Sequence, residues 1–257
     1  MSDTRRRRAP TGARIERGET EDLLTIEQET LTRFSHQLRS LLTSVGAAAE
    51  YLLNNNPDRG VHDEMLGIIA EQATRIDGLL DDFLVVTSAP SPRPGGVSAV
   101  NLYQLTRQAV RDLASEAQSA GAWLVLDAAG AVSPVAGHHQ PLRQAITGSL
   151  RAMISLTRPG ERVVARLEDA RGEDGERLIQ FSVLIQSDDT GRDHRAEGLT
   201  PTDLSLEAAR RICESHGGSF ELLGDRPGLA LRLPVATMQL AGAAAARSER
   251  GIRASGA

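Results

Sequence analysis

One histidine stands where covalent chemistry can happen. His36 lies in the run Phe34-Ser35-His36-Gln37-Leu38-Arg39-Ser40-Leu41-Leu42-Thr43. Apolar residues recur at Leu31, Phe34, Leu38, Leu41, Val45, Ala48 and Leu52, in alternating steps of three and four. That is the heptad seam of a helix, and it leaves His36 on the opposite face, offered to solvent. Histidine's ordinary pKa of about 6.5 leaves the imidazole largely neutral at physiological pH, able to act as a nucleophile. Arg39 and Ser40 lie one turn further along the same face, and Gln37 follows the histidine directly. Arg39 can meet a transferred anion, and Ser40 brings a hydroxyl to the same face. The competing reading is an ordinary surface histidine beside a solvated arginine and a neutral serine.

The other reactive side chains read as structural. His138 and His139 are adjacent, so they point apart and chelate one metal poorly. His62 and His194 have no partner in view. Cys213, the only cysteine, falls inside a helical stretch and reads as core. A lone cysteine also excludes an intramolecular disulfide and a multi-cysteine zinc site.

Several elements must position His36. Residues 1–20, with Arg5, Arg6, Arg7 and Arg8, read as a disordered basic tail. A helix is predicted from Glu21 to about Leu53, with Leu24 extending the seam backward. Asn54 to Gly60 is a turn by composition. A second helix follows over about 61–86, with a seam at Leu66, Ile69, Ala73, Ile76, Leu80 and Phe83. Together, 21–88 make an antiparallel helical hairpin. A hairpin of this length buries little alone, so two copies are expected to pair into a four-helix bundle. Residues 89–99, rich in Pro, Gly and Ser, are a linker.

Over 100–236 the pattern becomes mixed. Helices are predicted over about 102–120, 141–156 and 204–215, the last capped by Gly217-Gly218. Strands are predicted over 123–126, 162–167, 178–185, 219–223 and 229–233. This order suggests a sheet with helices on one face, an α+β domain following the hairpin. Residues 237–257 are a tail rich in Ala, Gly and Arg.

Composition sets the class. At 25% charged and 40% hydrophobic residues, the chain is an ordinary globular one. With 3% aromatics, its cores must be built from Leu, Val, Ile and Ala. A net charge of −5 argues against nucleic acid as the main partner. No apolar run of about 18 residues exists, so no membrane span is expected. The N-terminus lacks the apolar stretch of a secretory signal, and a cytoplasmic location follows as the default.

The run around His36 resembles the H-box of the two-component histidine kinases, Phe-x-His-(Glu/Asp)-Leu-(Arg/Lys)-Thr-Pro-Leu-Thr. Phe34, His36, Leu38, Arg39, Leu42 and Thr43 match it, whereas Gln37, Ser40 and Leu41 depart. The later half resembles the family's ATP-binding domain, which is related to the Hsp90 and gyrase ATPases. The similarity is carried by Val100-Asn101-Leu102 with Ala109, by Gly137 with Pro141-Leu142-Arg143-Gln144, and by the stretch from Arg210 to Gly218. The resemblance covers about 25–235. It implies a phospho-accepting His36, a dimeric bundle, and receiver domains of response regulators as partners.

The same resemblance implies a degenerate nucleotide site. The family's N-box carries two asparagines four residues apart, the second a metal ligand. Here those positions are Gly148 and Ala152. Neither has a side-chain oxygen, which Mg²⁺ demands. Of the Asp-x-Gly-x-Gly motif, Asp189 and Gly191 remain as the remnant of an adenine site, while Asp193 replaces the second glycine; Asp188-Asp189 read equally as an acidic turn. The glycine-rich box is Pro201-Thr202-Asp203-Leu204-Ser205-Leu206, with no glycine. Pro201 has no N–H to offer phosphates. A carboxylate such as Asp203 beside a phosphate costs about 4 kcal/mol at 4 Å and an effective dielectric of 20. Gln37 cannot take up a proton as the family's acidic residue does.

The function expected is a histidine phosphotransferase, carrying a phosphoryl group on His36 between receiver aspartates. No cofactor or metal is expected on this chain, and Mg²⁺ belongs to the partner receiver. The alternatives are an ATP-dependent sensor kinase with a divergent catalytic domain, and a non-catalytic dimeric scaffold that binds response regulators.

Overall fold

The structure is a computed structural model. It describes residues 12–88, 97–128, 132–187, 203–224 and 227–236, with the backbone alone for 12–27. Residues 1–11 of the predicted tail, 89–96 of the linker, the Asp189 and Gly191 remnant and the tail 237–257 lie outside these. The chain divides into two compact units, Met1–Asp77 and Gly78–Ala257.

The first unit holds helix α1, Gly12–Asn54, and the beginning of α2, Arg59–Thr87. Together they form a helical hairpin. The α1 helix starts at Gly12 rather than at the predicted Glu21. Arg14, Glu16, Arg17 and Glu19 are good helix formers, so the polar stretch continues the helix although it has no apolar seam. At the turn, Asp58 caps α2, its Oδ1 accepting from the Val61 N–H at 3.1 Å.

On α1 the predicted seam faces inward from Phe34 to Leu52, with Ala48 fully buried. On α2 the inward line is Val61, Met65, Ile68, Gln72 and Ile76. The predicted seam positions Leu66, Ala73 and Leu80 are exposed. The α2 apolar face is broader than one seam, and a single partner helix covers only part of it.

The second unit begins with the end of α2 and continues with β1 (Ser98–Val100), α3 (Leu102–Asp112), α4 (Ala114–Ser119), β2 (Trp123–Ala128) and β3 (Val135–Gly137). Then come α5 (His139–Ile154), β4 (Arg162–Arg171), β5 (Arg177–Gln186), α6 (Leu204–Ser215), β6 (Ser219–Leu222) and β7 (Gly228–Pro234). The main sheet has the order β2-β4-β5-β7-β6, with β2 and β4 parallel and the other pairs antiparallel. Strands β1 and β3 form a separate antiparallel pair.

Two local features differ from expectation. The helix predicted over 102–120 breaks at Leu113, whose φ of −96° and ψ of 1° leave the helical region; Leu113 and Ala117 on either side of the junction both bury. Residues 98 and 99, the end of the expected linker, form strand β1 together with Val100.

One core underlies the unit. Inward residues Val163, Ala165, Leu167, Ile179, Phe181, Val183, Leu229 and Leu231 of the sheet meet Leu105, Leu142, Ile146, Leu150, Met153, Leu206 and Ile212 of the helices. The opposite sheet face is largely polar. Arg166 pairs with Asp127 at 2.9 Å, Gln180 donates to Glu168, and Arg232 bonds Gln180 and Glu221. Trp123, at the end of edge strand β2, is 69% exposed on this side.

Candidate functional site

Two places carry the residues that the sequence singles out. The first is mid-α1. His36, Gln37, Arg39 and Ser40 are all exposed on it. The local backbone is unstrained helix. Ser35 Oγ donates to the Leu31 carbonyl at 2.8 Å and Thr43 Oγ1 to that of Arg39 at 2.8 Å, so these hydroxyls are occupied along the helix. Arg33 pairs with Glu29 one turn earlier, at 2.9 Å. His36 is thus held by a rigid helix whose apolar side, Phe34 and Leu38, is half-buried. A nucleophile so placed can meet an electrophile only on another molecule or another part of the chain.

The second place is the junction of α5 and α6. Gly148 and Ala152 are buried on α5. A Cβ at Gly148 would lie 3.4 Å from both the Cβ and the carbonyl oxygen of Ser205, so α6 rests directly on this glycine. Asp203 caps α6, its Oδ1 accepting from the Ser205 N–H at 2.9 Å. Burial pushes the Asp203 carboxyl above its ordinary value, against those backbone hydrogen bonds.

Sequence reasoning missed the most unusual group here. Asp82, in the last turns of α2, is only 5% exposed. Its Oδ1 accepts from Gln144 Nε2 of α5 at 2.9 Å, and its Oδ2 accepts from Ser205 Oγ of α6 at 2.6 Å. Burial raises its pKa, opposed by those two hydrogen bonds and by Arg151, and reinforced by Asp203. A signal was present, because Leu79, Asp82 and Val86 fall on one helical stripe and two of the three are apolar. An acid on such a stripe marks a buried carboxylate with a specific partner.

The remaining candidates are structural. His216 Nε2 accepts from the His138 N–H at 3.1 Å, and its Nδ1 lies 2.7 Å from the Ile212 carbonyl. The imidazole therefore bridges the end of α6 to the start of α5, against Gly137, where a Cβ would lie 2.6 Å from its ring. Gly217 follows at a φ of +71°, the left-handed turn that ends α6. Cys213 Sγ donates to the Ser219 carbonyl, and burial pushes its thiol up to about 12, far from reactive. Among the described residues, no group of three or more His, Cys, Asp or Glu could hold a metal ion. Nor is any described helix long and apolar enough to cross a membrane.

No family model matches the chain. Two curated relatives do. Drug sensory protein A of Synechocystis is 22% identical over 224 residues, which is 79% of this chain and 34% of that protein. Sensor histidine kinase ZraS of Salmonella typhi is 24% identical over 201 residues, 73% of this chain and 41% of that protein. The chain thus spans well under half the length of these relatives. Among solved structures, Acinetobacter baumannii histidine kinase AdeS superposes with a TM-score of 0.52 at 14% identity, covering 79% of this chain and 98% of that one. That likeness shows a shared fold, a helical hairpin followed by a mixed sheet with helices. With an H-box-like run on the hairpin and that fold behind it, the chain is similar to two-component sensor histidine kinases in sequence and shares the fold of one in structure.

Proposed function

We propose that this chain is a histidine phosphotransferase of two-component signalling, with His36 as the phospho-acceptor and a nucleotide site that no longer works. The observation that carries the reading is the closure at Gly148. Where the resemblance expects an oxygen-bearing side chain, a glycine sits in contact range of Ser205, and the neighbouring position is Ala152. The oxygen ligands that Mg²⁺ requires are missing from both.

In this reading His36 attacks the aspartyl phosphate of a receiver domain in line, with its neutral ring nitrogen. The P–O bond to the aspartate breaks as the N–P bond forms. The reverse reaction delivers the group to another receiver. Such transfer needs positioning and charge neutralisation, and the receiver's own Mg²⁺ supplies the latter. Arg39, one turn away, faces the incoming phosphoryl group or the receiver surface. Ser40 positions water for hydrolysis, and Gln37 leaves the histidine without an adjacent proton acceptor. Two copies pair through their hairpins. Leu31, Leu42 and Leu66 are 55%, 52% and 46% exposed on the single chain, which favours such pairing. The partners are receiver domains, and the compartment is the cytoplasm.

An ATP-dependent kinase with a divergent catalytic domain fits the relatives equally well, since both are sensory proteins and one is named as a histidine kinase. Radiolabel incorporation separates the two. The purified chain is offered labelled ATP with Mg²⁺, and separately a prephosphorylated receiver. Label from the receiver alone, lost in His36→Ala, is expected. Label from ATP alone, lost in the same variant, makes the chain a kinase instead.

A further inference from the structure

The last turns of α2 are continuous with the hairpin helix, yet they belong to the second unit. Their hold is narrow. Leu79 and Val86 are buried and Val85 packs on the core, while Leu80 and Leu84 are 46% and 51% exposed. Between the two buried anchors stands Asp82. Both its donors come from far along the chain, Gln144 on α5 and Ser205 on the first turn of α6. A leucine at position 82 would give a permanent contact at less cost, because a buried carboxylate must replace all its lost hydration with partners. A carboxylate makes the contact conditional on both donors being in place.

The segment also starts at a weak point. Gly78 is a helix-interior glycine, the residue with the poorest helix propensity after proline. It coincides with the division between the units. Arg151 of α5, itself paired with Glu116 at 3.2 Å, occupies the space beside it; a Cβ at Gly78 would lie 3.1 Å from Arg151 Nη1.

We propose that residues 78–87 form a releasable strap, fastened across α5 and α6 by the Asp82 carboxylate, which opens as a unit while the sheet stays folded. Release frees the Gln144 amide and the Ser205 hydroxyl and uncovers the first turn of α6. The strap is therefore a device by which the end of the hairpin helix controls access to the α5–α6 junction. This goes beyond the phosphotransfer reading and does not depend on it.

Hydrogen exchange of the full chain, resolved by mass spectrometry, tests the strap. Asp82→Ala is expected to raise exchange about tenfold or more over 79–87 and 204–208, by sub-global opening, while amides in β4 and β5 keep their protection. Ser205→Ala removes one donor and leaves the carboxylate. It is expected to move the same two segments by a smaller factor, and it carries the test if Asp82→Ala does not fold. Equal acceleration in every segment would make 78–87 an inseparable part of the core and overturn the proposal. Unchanged exchange over 79–87 in either variant would show that Asp82 fastens nothing, and would overturn it as well.

Discussion

The helix around His36 and the junction of α5 and α6 are built in opposite ways. On α1, the side chains with chemical potential stand in solvent, the apolar face is turned away, and nothing in the local backbone is strained. At the junction, one helix rests on a glycine of the other, and a carboxylate from a third segment closes over both. The first place suits a group that meets partners. The second suits a group that excludes them. Sequence relationship to sensor kinases alone does not predict this contrast, because it follows from particular side chains: a retained histidine at 36, and an absent oxygen at 148 and 152.

The largest effect that sharpens the contrast is at His36. His36→Gln should abolish phosphoryl uptake from a phosphorylated receiver. Because the side chain is exposed, the same substitution should leave the thermal melt within about 0.5 kcal/mol of the parent. A full loss of label with an unchanged melt separates chemistry from folding. Residual label at the parent level would move the acceptor elsewhere.

A second test concerns the exposed apolar faces of the hairpin. Leu66→Glu places a charge in the surface expected to pair with a second copy. Self-association, measured by sedimentation, should weaken about tenfold or more, since a buried leucine contributes about 1.5–3 kcal/mol. If association is unchanged, Leu66 lies outside any interface, and the pairing surface must be sought on the Leu31 and Leu42 side.

The third test bears on the closed junction. Gly148→Asn places at the first of the two positions the residue type that the resemblance leads one to expect there. The first carbon fits at ordinary contact distance, but the amide beyond it must displace Ser205 and the start of α6. A loss of about 1–3 kcal/mol in a denaturant melt is expected, as for other overpacked cores, with no gain in ATP binding by calorimetry. A neutral melt combined with new nucleotide affinity would mean that the junction opens readily and the divergence is superficial.

The fold was legible in the sequence where the pattern is local and periodic. The seam from Phe34 to Leu52, the bounds of α6 and the glycine cap at Gly217 all rest on spacings within a few turns, and they appear as read. The pattern was less informative where an outcome depends on partners. Seen from the sequence, Leu66, Ala73 and Leu80 form as good a seam as the residues that actually bury, because α2 has two apolar lines. Strands β1 and β3, three residues each, are too short to show alternation, and their pairing joins segments far apart in the chain. The candidate site divides similarly. His36 is made a candidate by its sequence neighbours alone, whereas Asp82 acquires its meaning only from Gln144 and Ser205, which sit 62 and 123 residues away.

The smallest expected effect concerns pH, and it again sets the junction apart. Burial raises the pKa of both Asp82 and Asp203 above the ordinary 3.8. A carboxyl whose folded pKa is raised contributes stability that is fully present below the unfolded value and fades as pH rises through the folded one. Arg151 of α5 opposes the shift at Asp82, and Asp203 at the cap of α6 reinforces it. Glu207, one turn into α6, works in the other direction. Burial disfavours its charge, but hydrogen bonds from Arg210 and Arg211 outweigh that and hold its carboxyl below the usual 4.5, so its contribution is present above that value and lost as pH falls through the lowered one. In the window just above 3.8, the two aspartates therefore tighten the junction on acidification while Glu207 loosens α6. Asp82→Asn removes one of the tightening groups. Compared with the parent over that window by denaturant melts, the variant should lose its share of the rise in stability towards acid. Identical pH slopes for the two chains would mean that the Asp82 carboxyl titrates alike in the folded and unfolded states, and that its burial does not govern the junction.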